Sequence, residues 1–183
     1  MKIYTDLDHV LVNPVMGGPD GLDVVRIIPR PDAEWFLSKL ASRGELWLMT
    51  ASAGDHPWRA LSTITPDFAK YFSGYITREQ LAFIEEQIHV VRSAQVDPET
   101  RRELWGLIQP LAEPGIMFDD YPVGSSMFNL KATAIGIGPQ EWIQVEAFDS
   151  RGPDRSGLRK AYQEFKRRLG LGTSMGRRQE VYA

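Results

Sequence analysis

Residues 2–12 read KIYTDLDHVLV. An apolar, β-branched run that stops at two acids, Asp6 and Asp8, reads as a buried strand ending at a loop. In extended backbone, residues two apart face the same side, so both carboxylates address one pocket. Two acids that close repel each other, and a bound cation relieves the repulsion. An all-oxygen donor set favours a hard ion such as Mg2+. One carboxylate can then act as nucleophile while the other moves protons. Taken alone, Asp-x-Asp is equally an Asp-capped turn.

Two further stretches end in the same way. Residues 45–52, ELWLMTAS, read as a second buried strand closing on Thr50, Ala51 and Ser52. A hydroxyl with backbone N–H groups at a strand-to-helix turn suits phosphate oxygens. Ser52 by itself reads as an ordinary helix N-cap. Residues 115–120, GIMFDD, place Asp119 and Asp120 directly after a third apolar strand. Acids there are costly unless a metal or solvent satisfies them.

Between these stretches, helical and extended patterns alternate. Residues 13–21, NPVMGGPDG, are loop or hairpin, and DVVRIIP (23–29) is a short strand within that excursion. PDAEWFLSKLASRG (31–44), HPWRALSTI (56–64), PETRRELWGLIQPLA (98–112) and GLRKAYQEFKRRLG (157–170) have helical spacing. Residues 71–77 form a weaker strand, 78–87 and 88–95 fit helix or strand, and KATAIGIG (131–138) reads as a short strand. The pattern predicts an α/β fold of three layers, with a mostly parallel sheet covered on both faces. Ligands in such sheets sit at the carboxyl ends of the strands, where the DLD, TAS and DD stretches fall. A single domain over 1–170 is expected, with 12–30 as a short flap and 171–183 as a loose tail. No Gly-rich dinucleotide fingerprint follows the first strand.

Asp6-Leu7-Asp8-His9-Val10-Leu11 resembles the first motif of the haloacid dehalogenase (HAD) superfamily. Arg30-Pro31, Trp35-Phe36-Leu37 and the strand ending in Thr50-Ala51-Ser52 resemble its small carboxy-terminal-domain phosphatase branch. Short HAD nucleotidases resemble the Asp-Asp region as well. Ile76-Thr77-Arg78-Glu79 is similar to the branch's Arg-Glu segment, and Asp119-Asp120 with Asn129 to the fourth motif. The resemblance spans roughly residues 2–137.

It implies a Rossmann-like fold with a minimal cap and a phosphoaspartyl mechanism. Asp6 would attack phosphorus, and Asp8 would protonate the leaving group and then activate water. Thr50 and Ala51 would hold the phosphoryl group. Asp6, the backbone carbonyl of Asp8 and Asp119 would hold Mg2+, with Asp120 in support. The family's third motif adds a lysine between the second and fourth, but residues 77–118 contain none. Arg92, Arg101 and Arg102 are the candidates, with Arg92 favoured. His9 also departs from the family pattern and is read as a substrate contact or a turn residue.

The 183 residues suffice for one domain. No apolar run approaches a membrane span, and acids among the first eight residues argue against a signal peptide. With no cysteine, thiolate chemistry is excluded, and a cytoplasmic setting is the simplest reading. Residues 1–150 hold 12 Lys/Arg against 21 Asp/Glu, whereas residues 151–183 hold 9 against 3. The basic terminal helix is a solvated face or a nucleic-acid contact. The five tryptophans mostly occupy apolar positions suited to packing. A flap of this size leaves the site open, which suits phosphoproteins, nucleotides or nucleic-acid ends. The expected activity is Mg2+-dependent phosphate monoester hydrolysis. The alternatives are a 5′-nucleotidase or polynucleotide-end phosphatase, and a binding protein on the same fold that has lost turnover.

Overall fold

Alternating burial on the first strand organises the molecule. In β1 (Lys2–Thr5), Ile3 faces one layer of core and Tyr4 the other, and both are fully buried. The computed structural model describes residues 1–17, 19–20, 23–150 and 156–171. β1 pairs in parallel with β4 (Glu45–Met49) on one side and β6 (Gly115–Asp119) on the other. β5 (Gly74–Ile76) and β7 (Trp142–Gln144) extend the sheet in parallel, giving the order β5-β4-β1-β6-β7. This is the Rossmann-like, parallel α/β architecture expected from the sequence.

Each strand sends alternate side chains to opposite faces, so strands buried on both sides are apolar almost throughout. Leu46, Leu48, Phe118 and Ile143 join the core formed with α1 (Ala33–Ala41), α2 (His56–Ile64) and α6 (Gly157–Arg168). Met49, Met117 and Trp142 join the other core, with α3 (Arg78–Ser93) and α5 (Ser126–Ile135). α4 (Pro98–Gly106) packs on α3. Its start is capped by Asp97, whose carboxylate accepts from the Glu99 and Thr100 N–H groups.

The 12–30 excursion is an antiparallel hairpin of β2 (Val12–Gly17) and β3 (Asp23–Pro29), with a register shift at Val15/Met16. It packs against α2. The segment 78–95, ambiguous in sequence, is one helix through Ser93. KATAIGIG is not a strand: Lys131 to Ile135 belong to α5, and the last strand among the described residues is β7. Except for Leu171, the expected tail lies outside the described residues. Among the described residues, no helix is long and apolar enough to cross a membrane.

The chain winds from β1 out to β5, then returns to place β6 on the other flank of β1. The reversal opens a crevice at the carboxyl ends of β1 and β6, the position where parallel sheets bind ligands.

Candidate active site

Asp6 leaves β1 at this crevice, and its backbone N–H bonds to the Phe118 carbonyl at 2.9 Å. That bond sets β1 and β6 in register, so Asp6 and Asp119 emerge side by side. Asp6 is only 5% exposed, and Asp119 is fully buried. Between them lies the ammonium of Lys131, 2.8 Å from Asp6 Oδ2 and 2.6 Å from Asp119 Oδ2. Lys131 is itself fully buried, which a charged group tolerates only when paired.

Asp119 Oδ1 accepts the Tyr121 N–H at 2.9 Å, and the Asp119 carbonyl accepts from Val145 N–H at 2.8 Å. Asp120 completes the cluster. Asp6, Asp119 and Asp120 each offer an oxygen, and these three atoms lie within 4.8 Å of one another. Asp120 Oδ1 is buried without a hydrogen-bond partner among the described residues. A buried, unsatisfied carboxylate oxygen beside two more acids fits a hard cation held by oxygen.

Burial pushes the Asp119 carboxyl up to about 7, with the Asp6 charge adding to it and Lys131 opposing. Asp6 is raised by burial against the pull of Lys131, and Asp120 by burial and by Asp6. Burial by itself would lower Lys131, but Asp6 and Asp119 outweigh it and hold the ammonium charged above its ordinary value.

The Asp8 carboxylate lies outside the three-acid cluster. Its Oδ2 accepts from the Ser52 hydroxyl, and its Oδ1 lies 2.8 Å from His56 Nε2. Ser52 N–H in turn donates to Thr50 Oγ1 at 3.1 Å, and Thr50 N–H to the Ile76 carbonyl at 3.0 Å. Thr50 and Ala51 thus stand at the end of β4, next to β1. Ser52 does not cap α2, whose N-cap is Asp55.

The turn after Asp8 is closed by its own backbone: Leu11 N–H bonds to the Leu7 carbonyl at 2.8 Å, and His9 N–H to the Val12 carbonyl at 2.7 Å. His9 adopts φ 60°, a left-handed conformation that a non-glycine residue holds at some cost. Buried Leu7, Val10 and Leu11 anchor the turn. Arg30 is also buried and donates to the Val10 carbonyl at 3.1 Å, so the Arg-Pro pair braces this turn.

Arg92 is not part of the site. It is exposed at the end of α3, with its guanidinium carbon 5.9 Å from the centre of the Trp105 ring. A helix following a parallel strand runs back toward the strands' amino ends, which carries Arg92 away from the carboxylates. Arg101 and Arg102 are exposed on α4, and Arg101 donates to the Ala94 carbonyl at 3.0 Å. Asn129 lies on α5, and its side-chain amide donates to the Gly124 carbonyl at 3.4 Å.

Lys131 was missed because it follows the acids in sequence instead of preceding them. Its signal was a lysine on the apolar stripe Phe128, Lys131, Ala132, Ile135, at helical spacing. His56 carried no signal beyond its place at a helix start.

No family model matches the sequence, and no curated protein matches it. Among solved structures, a Thermotoga maritima chain assigned as a beta-phosphoglucomutase aligns with it at 17% identity and a TM-score of 0.45. The alignment covers 87% of this chain and 90% of that one. A likeness of that strength says nothing of this chain's activity.

Proposed function

We propose that this protein is a Mg2+-dependent phosphomonoesterase that works through an aspartyl-phosphate on Asp6. The supporting observation is the buried Lys131 ammonium, shared by Asp6 and Asp119 at the sheet's crossover point. This cation supplies the charge offset that the HAD resemblance implies, although it follows Asp119-Asp120 in the chain instead of preceding them. It speaks against a binding protein without turnover, the reading that a missing lysine supported.

An Asp6 carboxylate oxygen bonds to phosphorus as the ester oxygen departs with a proton from Asp8. Asp8, now ionised, takes a proton from water, whose oxygen attacks the same phosphorus and releases phosphate and free Asp6. Asp6, Asp119 and Asp120, with the Asp8 backbone carbonyl, would hold Mg2+, which when bound neutralises charge on the phosphoryl oxygens. Lys131 stays charged throughout and offsets the acids. Thr50 and Ala51 address the phosphoryl oxygens.

His56 positions Asp8 for this cycle: Nε2–H donates to the Asp8 carboxylate at Oδ1. His56 Nδ1 is buried without a hydrogen-bond partner among the described residues.

The test is hydrolysis of para-nitrophenyl phosphate with Mg2+, expected to vanish with a chelator and with Asp6→Asn. Robust activity in metal-replete Asp6→Asn would rule out Asp6 as nucleophile.

A further inference from the structure

A cleft of about 520 Å3 runs between β3 and α2, outside the carboxylate cluster. Val25 and Arg26 form one wall, and Trp58, Arg59, Ser62 and Thr63 the other. The α2 wall begins two residues beyond His56, whose imidazole is 2.8 Å from Asp8. At 1.5 Å per residue, Ser62 and Thr63 lie roughly 10 Å farther along the helix axis than His56. The α2 wall of the cleft therefore starts near the acid/base residue's partner His56 in the chain and extends away from it along the helix axis.

Its lining combines cations with an aromatic ring. Trp58 is 37% exposed, yet it is held by Phe68, stacked at 6.5 Å, and by an edge contact with Tyr75 at 4.9 Å. A ring already immobilised loses little freedom on receiving a flat partner. Arg26 and Arg59 are exposed on opposite walls. The contact of Arg59 with Asp55 is long, 3.8 Å, and exposed, so it competes weakly with a phosphate. The Ser62 and Thr63 hydroxyls donate to α2 carbonyls, which leaves their oxygens to accept from polar hydrogens. Arginines for phosphates and a rigid indole for a base are the elements of single-strand recognition. An acidic peptide would use the arginines but not the indole face.

The basic helix α6 is less suited to that task. Arg159 pairs with Asp32 at 2.7 Å, and Arg167 and Arg168 pair with Glu164 at 2.7 and 2.8 Å.

We propose that the β3–α2 cleft is the track for a single nucleic-acid strand, the terminal phosphate of which is the ester processed at Asp6. The second half of this proposal rests on the phosphatase reading above.

Two measurements on wild type, Arg26→Gln/Arg59→Gln and Trp58→Phe separate the possibilities. One is binding of fluorescent, unphosphorylated oligothymidylate, followed by anisotropy across a salt series. The other is turnover of para-nitrophenyl phosphate beside oligothymidylates phosphorylated at either end. The double variant is expected to lose on the order of tenfold in strand affinity, with a salt slope shallower by about 1.4. It should lose a similar factor in kcat/KM on the phosphorylated strands, with para-nitrophenyl phosphate turnover unchanged. Trp58→Phe should weaken strand binding several-fold.

Strand binding indifferent to both arginines would overturn the proposal. So would equal or tighter arginine-dependent binding of a phosphopeptide of matched charge. Arginine-dependent strand binding without any phosphatase turnover would keep the track and overturn the phosphatase reading.

Discussion

Three acids crowd the ends of β1 and β6, and Lys131 contacts two of them. Removing its charge leaves Asp6 and Asp119 facing each other in a buried space. Breaking a buried pair of this kind costs about 3–5 kcal/mol. Protonation of Asp119 recovers part of that, because burial already raises its carboxyl toward neutrality. Lys131→Met is therefore expected to lower the denaturant midpoint of the metal-free protein. Activity on para-nitrophenyl phosphate should fall by at least about a hundredfold, the usual effect of deleting a preorganised charge partner. Lys131→Arg should not rescue it, since the planar guanidinium needs room that a fully buried site lacks. Wild-type turnover in Lys131→Met would remove Lys131 from the catalytic machinery.

At the level of elements, α5 is the part that delivers this lysine. Ser125 Oγ accepts the Phe128 N–H at 3.1 Å, capping the first turn. Gly136, at φ 64°, closes the last turn in a left-handed conformation that suits glycine. Between the caps, Phe128, Ala132 and Ile135 are buried and hold the stripe that includes Lys131 against the sheet. Ser125→Ala is expected to cost about 1 kcal/mol of stability, read by urea or guanidinium unfolding. An unchanged midpoint would show that packing, not the cap, fixes this helix. The β2–β3 hairpin has a different job. Together with Arg30 it braces the turn through Val10, so that Asp8 is presented toward Ser52 and His56.

For the whole molecule, the main consequence of this arrangement is linkage between protons, metal and stability. A carboxyl raised in the folded state favours folding while it is protonated. The Asp119 contribution is therefore present below its ordinary range and is lost as pH rises through about 7 in the metal-free protein. Mg2+ held by these acids would require them ionised and would therefore compete with protons in that same window. Millimolar Mg2+ should raise the melting temperature more at about pH 8 than at about pH 6. An equal shift at both pH values would place the metal away from Asp119.

The sequence by itself determined the parallel sheet and the acids at its strand ends. Those are local facts: apolar runs on both faces of KIYT and GIMF, a stop at each acid, and helical spacing between. The places of Asp6, Asp8, Thr50, Asp119 and Asp120 at or just after strand ends were legible for that reason. The contacts of Lys131, Ser52 and His56 were not. Each meets its partner across a sequence gap: 125 residues between Lys131 and Asp6, 44 between Ser52 and Asp8, and 48 between His56 and Asp8. A motif's spacing does not encode such contacts. Treating KATAIGIG as a strand hid the lysine further, because Thr133 and Ile135 carry extended propensity that the caps and the buried stripe override. Only the chain reversal that sets β6 beside β1, and packs α5 behind both, turned an isolated lysine into the counter-charge of the site.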